Sequence, residues 1–210
     1  MEITVEQIKE LRTQTGAGVG AVKAALEHSK GDMKAAIQYL REQGVAKGAK
    51  RAGKQASNGI LGTYIHNDSR LVVVVEIASE TDFASKSPDM QKFAKDIALH
   101  IAATDPEYVT PEEIPAEIVD AEKAVFQKDV EGKPAEIAEK ILQGKLEKFY
   151  AERVLLKQQL FSDESKKVED YLNEVLAKIG EKVQITRFVR FKLGNPITFA
   201  EHKEQDTISE

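Results

Sequence analysis

An α+β fold is predicted, in which a small N-terminal domain of three helices precedes a core domain with an antiparallel sheet and a helical hairpin. Residues 1–44 repeat apolar side chains at helical spacing. Residues 60–66 and 71–77 are rich in β-branched side chains and flank a turn sequence, which is typical of a β-hairpin. Residues 118–130 and 135–156 are typical of two helices, and the short Gly-Pro turn between them indicates an antiparallel pair.

The three N-terminal helices have recognisable start and stop residues. Thr4 with Gln7 three residues later is a capping-box pattern, which begins the first helix. Gly31 supplies a left-handed cap for the second helix, and Asp32 caps the third. Gly44 is expected to end the third helix. A bundle of about forty residues is marginal in stability by itself, so it is expected to need a neighbouring surface.

The predicted domain boundaries follow changes in composition. The helical domain spans 1–44, and 45–57 is a basic linker, mobile or loosely helical, because Gly and Ala alternate there with basic residues and no acid is present. Its basic residues are Lys47, Lys50, Arg51 and Lys54. The α+β core spans 58–194. Residues 195–210 form a polar C-terminal tail.

Within the core, the run 71–75 is apolar on both faces, so its strand is expected to lie centrally in the sheet. A helix then begins at Ser87-Pro88, and a second helix spans 166–179. The first of these helices has its apolar stripe at Met90, Phe93, Ala94, Ile97, Ala98 and Ile101. The last strand, 183–193, is expected to place Val183, Ile185, Val189 and Phe191 on one face. Arg187 breaks that alternation without a local explanation.

Composition excludes several classes of protein. The 210 residues are 31% charged and 41% hydrophobic, which is typical of a soluble globular chain. The net charge of −5 argues against nucleic acid as the main direct partner. The absence of cysteine excludes disulfides, thiolate metal sites and a cysteine nucleophile. The chain has neither a membrane-length apolar run nor a signal peptide, so we expect a cytoplasmic protein with no membrane partner.

No pattern in the sequence assembles a catalytic site. The four histidines are scattered, and none has metal-ligand spacing from another, so no metal is expected. Residues 48–54 match the glycine and lysine spacing of a phosphate-binding loop, but Gln55 stands where Ser or Thr should hold magnesium. A binding or regulatory protein without a cofactor is therefore favoured over an enzyme.

The segment 79–86 lies between the most apolar strand and a strongly patterned helix, so both of its ends are held. It places the aromatic ring of Phe83 beside the carboxylate of Asp82. Most phenylalanines are buried, so residue chemistry by itself favours a ring that packs into its own core. The alternative is an exposed ring that inserts into a partner. Both interpretations stay open at this point.

One set of motifs runs along almost the whole chain and ends near Gly194. Its most distinctive member is Glu80-Thr-Asp-Phe83. The other members are the segments 8–12, 15–18, 31–32, 36–41, 132–139, 148–150 and 188–191. Taken in this order, these motifs resemble those of bacterial translation elongation factor Ts. In that family the N-terminal domain is of the ubiquitin-associated type, and the chain resembles a short form.

The resemblance implies a function in protein biosynthesis as a guanine-nucleotide exchange factor for elongation factor Tu, which is not an enzyme activity. The partner would be bound in its GDP-bound and nucleotide-free states. By motif match, Thr81, Asp82, Phe83 and Ala84 would insert beside the nucleotide and dislodge the magnesium ion of Tu. The N-terminal domain would dock on the GTPase domain of Tu.

The chain departs from the family pattern at two places. It has Val19-Gly20-Ala21 where the family has a Met-Met pair and an acid, so the docking surface is expected to depend on Arg12 and Val19 with less apolar area. Ala84 stands where a valine is usual. The chain is also shorter than members with a doubled core, and a homodimer would compensate for this. A small adaptor that uses the bundle, or an enzyme with a dispersed site, are the other two hypotheses.

Overall fold

The structure is a computed structural model, and it describes residues 3–51 and 56–202. The helices are α1 (Val5–Thr15), α2 (Val19–His28), α3 (Met33–Arg51), α4 (Asp82–Lys86), α5 (Pro88–Thr104), α6 (Ala116–Lys128), α7 (Ala135–Arg153) and α8 (Val168–Ile179). The strands are β1 (Asn58–Ile65), β2 (Leu71–Ser79), β3 (Gln159–Leu160), β4 (Asp163–Lys167), β5 (Val183–Lys192) and β6 (Thr198–Glu201). The predicted α+β class is confirmed.

The described residues form two compact units, each assembled from three segments of the chain. The first unit takes its residues from Met1–Ile60, Ile77–Phe93 and Glu169–Gln184. The second takes its residues from Leu61–Glu76, Ala94–Val168 and Ile185–Glu210. The domain boundaries predicted from composition stay a prediction.

The caps predicted at the starts of α1 and α3 and after α2 are present in the structure. Thr4 and Gln7 form the capping box of α1, with each side chain accepting from the backbone N–H of the other residue. Gly31 has a φ of 85° and donates its N–H to the carbonyl oxygen of Leu26, and Asp32 accepts from the N–H of Ala35. The bundle core consists of Leu11, Ala17, Val22, Ala25, Leu26 and Ala36. The likeness to ubiquitin-associated domains stays a prediction.

The expected end of α3 at Gly44 is wrong, because the helix continues to Arg51. Gly44 is buried, and a Cβ added there would lie 3.3 Å from the carbonyl oxygen of Asn173 on α8. The absence of a side chain at Gly44 therefore lets α3 and α8 approach each other closely, and this glycine does not end a helix. The side chains of residue 45 and residues 47–51, and all of residues 52–55, lie outside the described part of the chain, so the mobility expected of the basic linker stays a prediction.

The main sheet has the strand order β1-β2-β5-β6, so β2 lies between two other strands as predicted. The turn that follows β1 is closed by a hydrogen bond from the N–H of Ser69 to the carbonyl oxygen of His66, with a φ of 57° at Ser69. Strands β5 and β6 pair antiparallel. Because β6 belongs to the sheet, the prediction that everything after Gly194 is a polar tail is wrong for residues 198–201, whereas residues 203–210 lie outside the described residues.

The burial expected along β5 is correct only in its first half. Val183 and Ile185 are buried, but Phe188 and Arg190 then replace Val189 and Phe191 as the buried residues. The change occurs at Thr186 and Arg187, whose side chains both donate to the carboxylate of Glu76, at 2.8 and 2.9 Å. Two neighbouring side chains on the same side of a strand shift its alternation by one residue, as in a β-bulge. The hydrogen bond to Glu76 also explains why a charged residue, Arg187, interrupts the apolar alternation of the strand.

The helices predicted in the core are present, but several boundaries differ from the prediction by two or three residues. Helix α6 covers Ala116–Lys128 and not 118–130, and α7 ends at Arg153 and not at residue 156. All six predicted stripe residues of α5 are buried, and α6 and α7 flank Gly132, whose φ is 79°. Ile114, Phe149 and Val154 form a buried cluster beside these two helices. Helix α8 begins at Val168 and not at Lys166, because the preceding residues form β4, which pairs with β3.

Candidate partner-binding site

The segment that joins β2 to α5 contains a short helix. Helix α4 comprises five residues, Asp82–Lys86, and Thr81 is its N-cap. The hydroxyl oxygen of Thr81 accepts a hydrogen bond from the N–H of Ala84 at 3.3 Å. Helix α5 then begins at Pro88, with the Ser87 hydroxyl accepting from the N–H of Met90. The α4 turn, defined here as residues 81–84, therefore has a defined backbone conformation.

Long-range hydrogen bonds hold the start of the α4 turn. The carboxylate of Glu181 accepts from both the backbone N–H of Thr81, at 3.1 Å, and its hydroxyl, at 2.9 Å. The carboxylate of Glu80 accepts from the N–H of Lys182 at 2.7 Å. The Asn58 side chain donates to the carbonyl oxygen of Glu80 at 3.0 Å. Strand and turn are thus tied to the chain that follows α8, within one compact unit.

Phe83 is 83% exposed, although it is adjacent to these anchored residues. The interpretation in which its ring packs into its own core is therefore wrong. Ala84, the next residue, is buried. A ring left in water on a held backbone is typical of a residue that is buried only on association with a partner.

Asp82 is exposed and carries a charge next to the ring. The ammonium group of Lys86, one helical turn later, lies 2.7 Å from its carboxylate. This hydrogen bond and the positive charge of Lys86 lower the pKa of the Asp82 carboxyl below its ordinary value of 3.8. Asp82 is therefore ionised throughout the neutral pH range and can accept hydrogen bonds from a partner.

The four predicted residues of the turn consequently have different surroundings. Phe83 and Asp82 face solvent, Thr81 is half-buried against Glu181, and Ala84 lies inside the unit. Of these four, only Asp82 and Phe83 have side chains that are exposed to solvent. Thr81 and Ala84 instead support the backbone from which these two side chains project.

Arg12 and Val19, the two residues predicted on the bundle, lie on either side of the α1–α2 turn. Arg12 is exposed in the last turn of α1, and Val19 is exposed at the first position of α2. Between them, Gly16 caps α1 with a φ of 66°. The side chain of Lys178 packs directly over Gly16, where an added Cβ would clash with it, and its ammonium group lies 3.8 Å from Asp89. The turn is therefore supported from α8.

Three anchoring residues were missed at the level of sequence, namely Asn58, Glu181 and Lys182. Glu181 follows the glycine that ends α8, and no local pattern distinguishes it from other surface carboxylates. Its partner Thr81 is 100 residues away in the chain. Spacing rules reach only a few residues along a helix or strand, so they carry no signal for this contact.

The described residues contain no group of three or more His, Cys, Asp or Glu side chains that could hold a metal ion. His100 is buried between Gln158 and the backbone of Phe161, and His202 lies 2.9 Å from Glu113. Nor is any helix within residues 3–51 and 56–202 both long enough and apolar enough to cross a membrane.

Comparison with known proteins gives one consistent match. The family model of elongation factor Ts matches residues 3–197. The elongation factor Ts of Acetivibrio thermocellus is 50% identical over 93% of this chain and 92% of its own length. That of Herpetosiphon aurantiacus is 47% identical over 93% of this chain and its own entire length. That of Geobacter sulfurreducens is 44% identical over the whole chain and 97% of its own length. The chain belongs to the elongation factor Ts family.

Proposed function

We propose that this chain promotes release of GDP from elongation factor Tu during protein biosynthesis, and that it works in the cytoplasm by binding and not as an enzyme. Family membership supports the exchange activity. The single observation that carries the mechanism is the exposed ring of Phe83 on the anchored α4 turn. The chain binds Tu in its GDP-bound state and also in its nucleotide-free state.

The α4 turn acts as a wedge beside the nucleotide site of Tu. Burying a phenylalanine ring contributes about 1.5–3 kcal/mol, which is available to stabilise a conformation of Tu that holds nucleotide weakly. Magnesium bridges protein and phosphates in such GTPases, so disturbing its surroundings weakens GDP binding. Asp82 supplies an ionised acceptor beside the ring. By linkage, nucleotide weakens factor binding by the same ratio, so entering GTP releases the factor.

The N-terminal bundle provides a second contact with Tu, through Arg12 and Val19. Both side chains are exposed at the supported α1–α2 turn. An arginine beside an apolar residue is a composition common at protein interfaces. Its role is to bind the partner, whereas the α4 turn changes the conformation of the partner. In this proposed function the chain itself holds no cofactor or metal ion and makes no direct contact with nucleic acid.

The wedge is tested by replacing Phe83 with alanine. The Phe83→Ala variant should slow stimulated release of fluorescently labelled GDP from Tu about 30-fold in a stopped-flow assay, the effect of losing about 2 kcal/mol at an interface anchor. Its fold should be unchanged, since the ring is exposed. Phe161→Ala is the matched control, because Phe161 is also an exposed phenylalanine, at 56%, but belongs to the other unit.

Three results would contradict the proposal. If Phe83→Ala stimulated GDP release from Tu at the wild-type rate, the α4 turn would not act as a wedge. Failure of the wild-type chain to bind Tu would favour the small adaptor hypothesis. Turnover of a small substrate by the isolated chain would favour the enzyme with a dispersed site.

We further propose that the free protein is a homodimer, formed by one face of the sheet. Its neighbouring strands β1, β2, β5 and β6 expose apolar side chains on the face opposite Val73 and Val75. Leu61, Ile65, Phe191 and Phe199 are exposed there, and Val72, Val74 and Val189 are half-buried. We call the surface formed by these seven residues the outer sheet face. A second copy presents the same apolar surface, which permits two-fold packing of sheet on sheet.

A further inference from the structure

Glu181 makes its hydrogen bonds to Thr81, the first residue of the turn that presents Phe83. Its carboxylate accepts the N–H of Thr81 and lies within 3.0 Å of the Thr81 hydroxyl through both oxygens. Hydrogen bonds to an ionised acceptor are stronger than those between neutral groups. Glu181 therefore fixes both the backbone and the side chain of Thr81.

Because Thr81 is the N-cap of α4, its bond to Glu181 also affects the residues that follow it in the helix. Since the Thr81 hydroxyl donates its hydrogen to Glu181, its lone pairs remain free to accept the N–H of Ala84. That bond closes the first turn of α4, in which Phe83 is the second residue. A helix of five residues has little stability of its own, so an external anchor is required to keep it formed.

Glu181 is itself in a defined place. Helix α8 ends at Ile179 and is capped by Gly180, which has a φ of 78° and donates its N–H to the carbonyl oxygen of Leu176. Strand β5 begins two residues after Glu181, at Val183. The N–H of Lys182 is bound by Glu80, so the α8–β5 connection and the start of the α4 turn hold each other at two points.

We propose that Glu181 is a positioning residue for nucleotide exchange, which holds the Thr81–Ala84 turn and so presents Phe83 to the partner. This inference rests on the proposed function. An unanchored turn would have to be ordered at the moment of insertion, and the ordering cost would be subtracted from the interaction with the partner. Glu181 removes that cost in advance, through its hydrogen bonds to Thr81.

The local effect is tested without any partner, by amide hydrogen exchange in the free protein. In Glu181→Ala, the amides of Thr81 and Ala84 should exchange about tenfold faster or more, because the anchored turn then opens more easily. The amides of α1 to α3 should be unchanged. Unchanged protection at Thr81 and Ala84 would overturn the positioning role, whatever the result with Tu.

The functional effect is tested with elongation factor Tu and labelled GDP. Glu181→Ala should lower the rate of GDP release at saturating factor about tenfold, as expected when charge-assisted hydrogen bonds are lost. Glu181→Gln keeps the shape and one acceptor oxygen, so it should retain an intermediate rate. Thr81→Val removes the hydroxyl from the other side and should also slow release. Glu164→Ala removes an exposed carboxylate on β4 and serves as the control. With this variant, GDP should leave Tu at the rate seen with the wild-type factor.

A double variant separates positioning from a general loss of structure. If Glu181 acts through Phe83, adding Glu181→Ala to Phe83→Ala should slow GDP release by less than about twofold further, because the two residues belong to one coupled unit. Fully additive effects would overturn the inference, as would wild-type release by Glu181→Ala. Wild-type release by Phe83→Ala instead contradicts the proposed wedge, and the amide exchange result still decides the role of Glu181.

Discussion

At the scale of single residues, hydrogen bonds and burial decide which titratable groups keep their charge. His100 is buried, with Nε2 2.9 Å from the side-chain oxygen of Gln158 and Nδ1 accepting the N–H of Phe161. An Nδ1 that accepts a hydrogen bond carries no proton, so the ring is neutral and donates through Nε2. Burial lowers the pKa of His100 below its ordinary value of 6.5, against the opposing effect of the Gln158 hydrogen bond.

The His100 surroundings predict a loss of stability in mild acid. The unfolded chain binds a proton on His100 below about pH 6.5, whereas the folded protein resists it, so the free energy of unfolding falls as pH decreases below 6.5. The slope should not exceed about 1.4 kcal/mol per pH unit. Urea unfolding between pH 7.5 and 5 measures it. His100→Met should be less stable at pH 7.5 but have a smaller slope.

The carboxylate of Glu76 titrates in a lower pH range than His100. Burial alone would raise the pKa of Glu76, but the hydrogen bonds from Thr186 and Arg187 outweigh it and lower that pKa below 4.5, so the stability that Glu76 contributes is lost only in stronger acid. An equal slope in His100→Met and wild type would contradict the assignment.

At the scale of elements, one glycine sets how closely β1 and α5 approach. A Cβ added at Gly62 would lie 2.7 Å from the carbonyl carbon of Ala94 and 2.9 Å from the Val75 side chain. Backbone atoms of a packed helix cannot move aside as the end of a flexible side chain can. Glycine is therefore required at this position for packing, and not for its backbone conformation.

We expect Gly62→Ala to destabilise the protein by about 1–3 kcal/mol, the usual cost of overpacking a core. Gly144→Ala is the matched control, since Gly144 lies within α7 and an added Cβ meets nothing within 4 Å. That control should gain about 0.5–1 kcal/mol from helix propensity. The midpoints of urea unfolding give both values. Equal midpoints for the two variants would mean that β1 and α5 do not approach as closely as described.

At the scale of the whole molecule, the outer sheet face predicts the state of association. The free protein should have the mass of a dimer in size-exclusion chromatography with light scattering. Phe199→Glu places a charge opposite Val189 on the neighbouring strand, within the apolar surface, and should give a monomer. Phe161→Glu, outside the face, should remain a dimer.

Two outcomes of that experiment contradict the homodimer. A wild-type monomer whose outer sheet face is protected only in the presence of Tu would show that the partner covers this surface. A Phe199→Glu dimer would place the interface elsewhere. The stimulated release of GDP by these variants would then show whether exchange needs the dimer.

Local patterns in the sequence predict the elements and their starts well. The capping box at Thr4, the left-handed cap at Gly31 and the buried stripe of α5 depend on residues three to five positions apart, and all three are found in the structure. The central position of β2 follows from an apolar run, because only a strand covered on both faces can keep one out of water.

The errors occur where a residue interacts with a distant segment. Gly44 resembles a helix stop, but it is a contact between α3 and α8. The alternation of β5 changes at Thr186 and Arg187 because both side chains bind Glu76, 110 and 111 residues away. In each case the structural role of the residue depends on two segments that are distant in the sequence, so neither segment predicts that role by itself.

The sequence by itself therefore determined the α+β class, most of the elements and the motif that contains Phe83, since periodicity, capping and motif spacing are local properties of the chain. Tertiary structure alone decided that the Phe83 ring is exposed and that Glu181 holds the turn beneath it. The physical reason is that burial and long-range hydrogen bonds depend on which distant segments the folded chain brings within a few ångströms of each other.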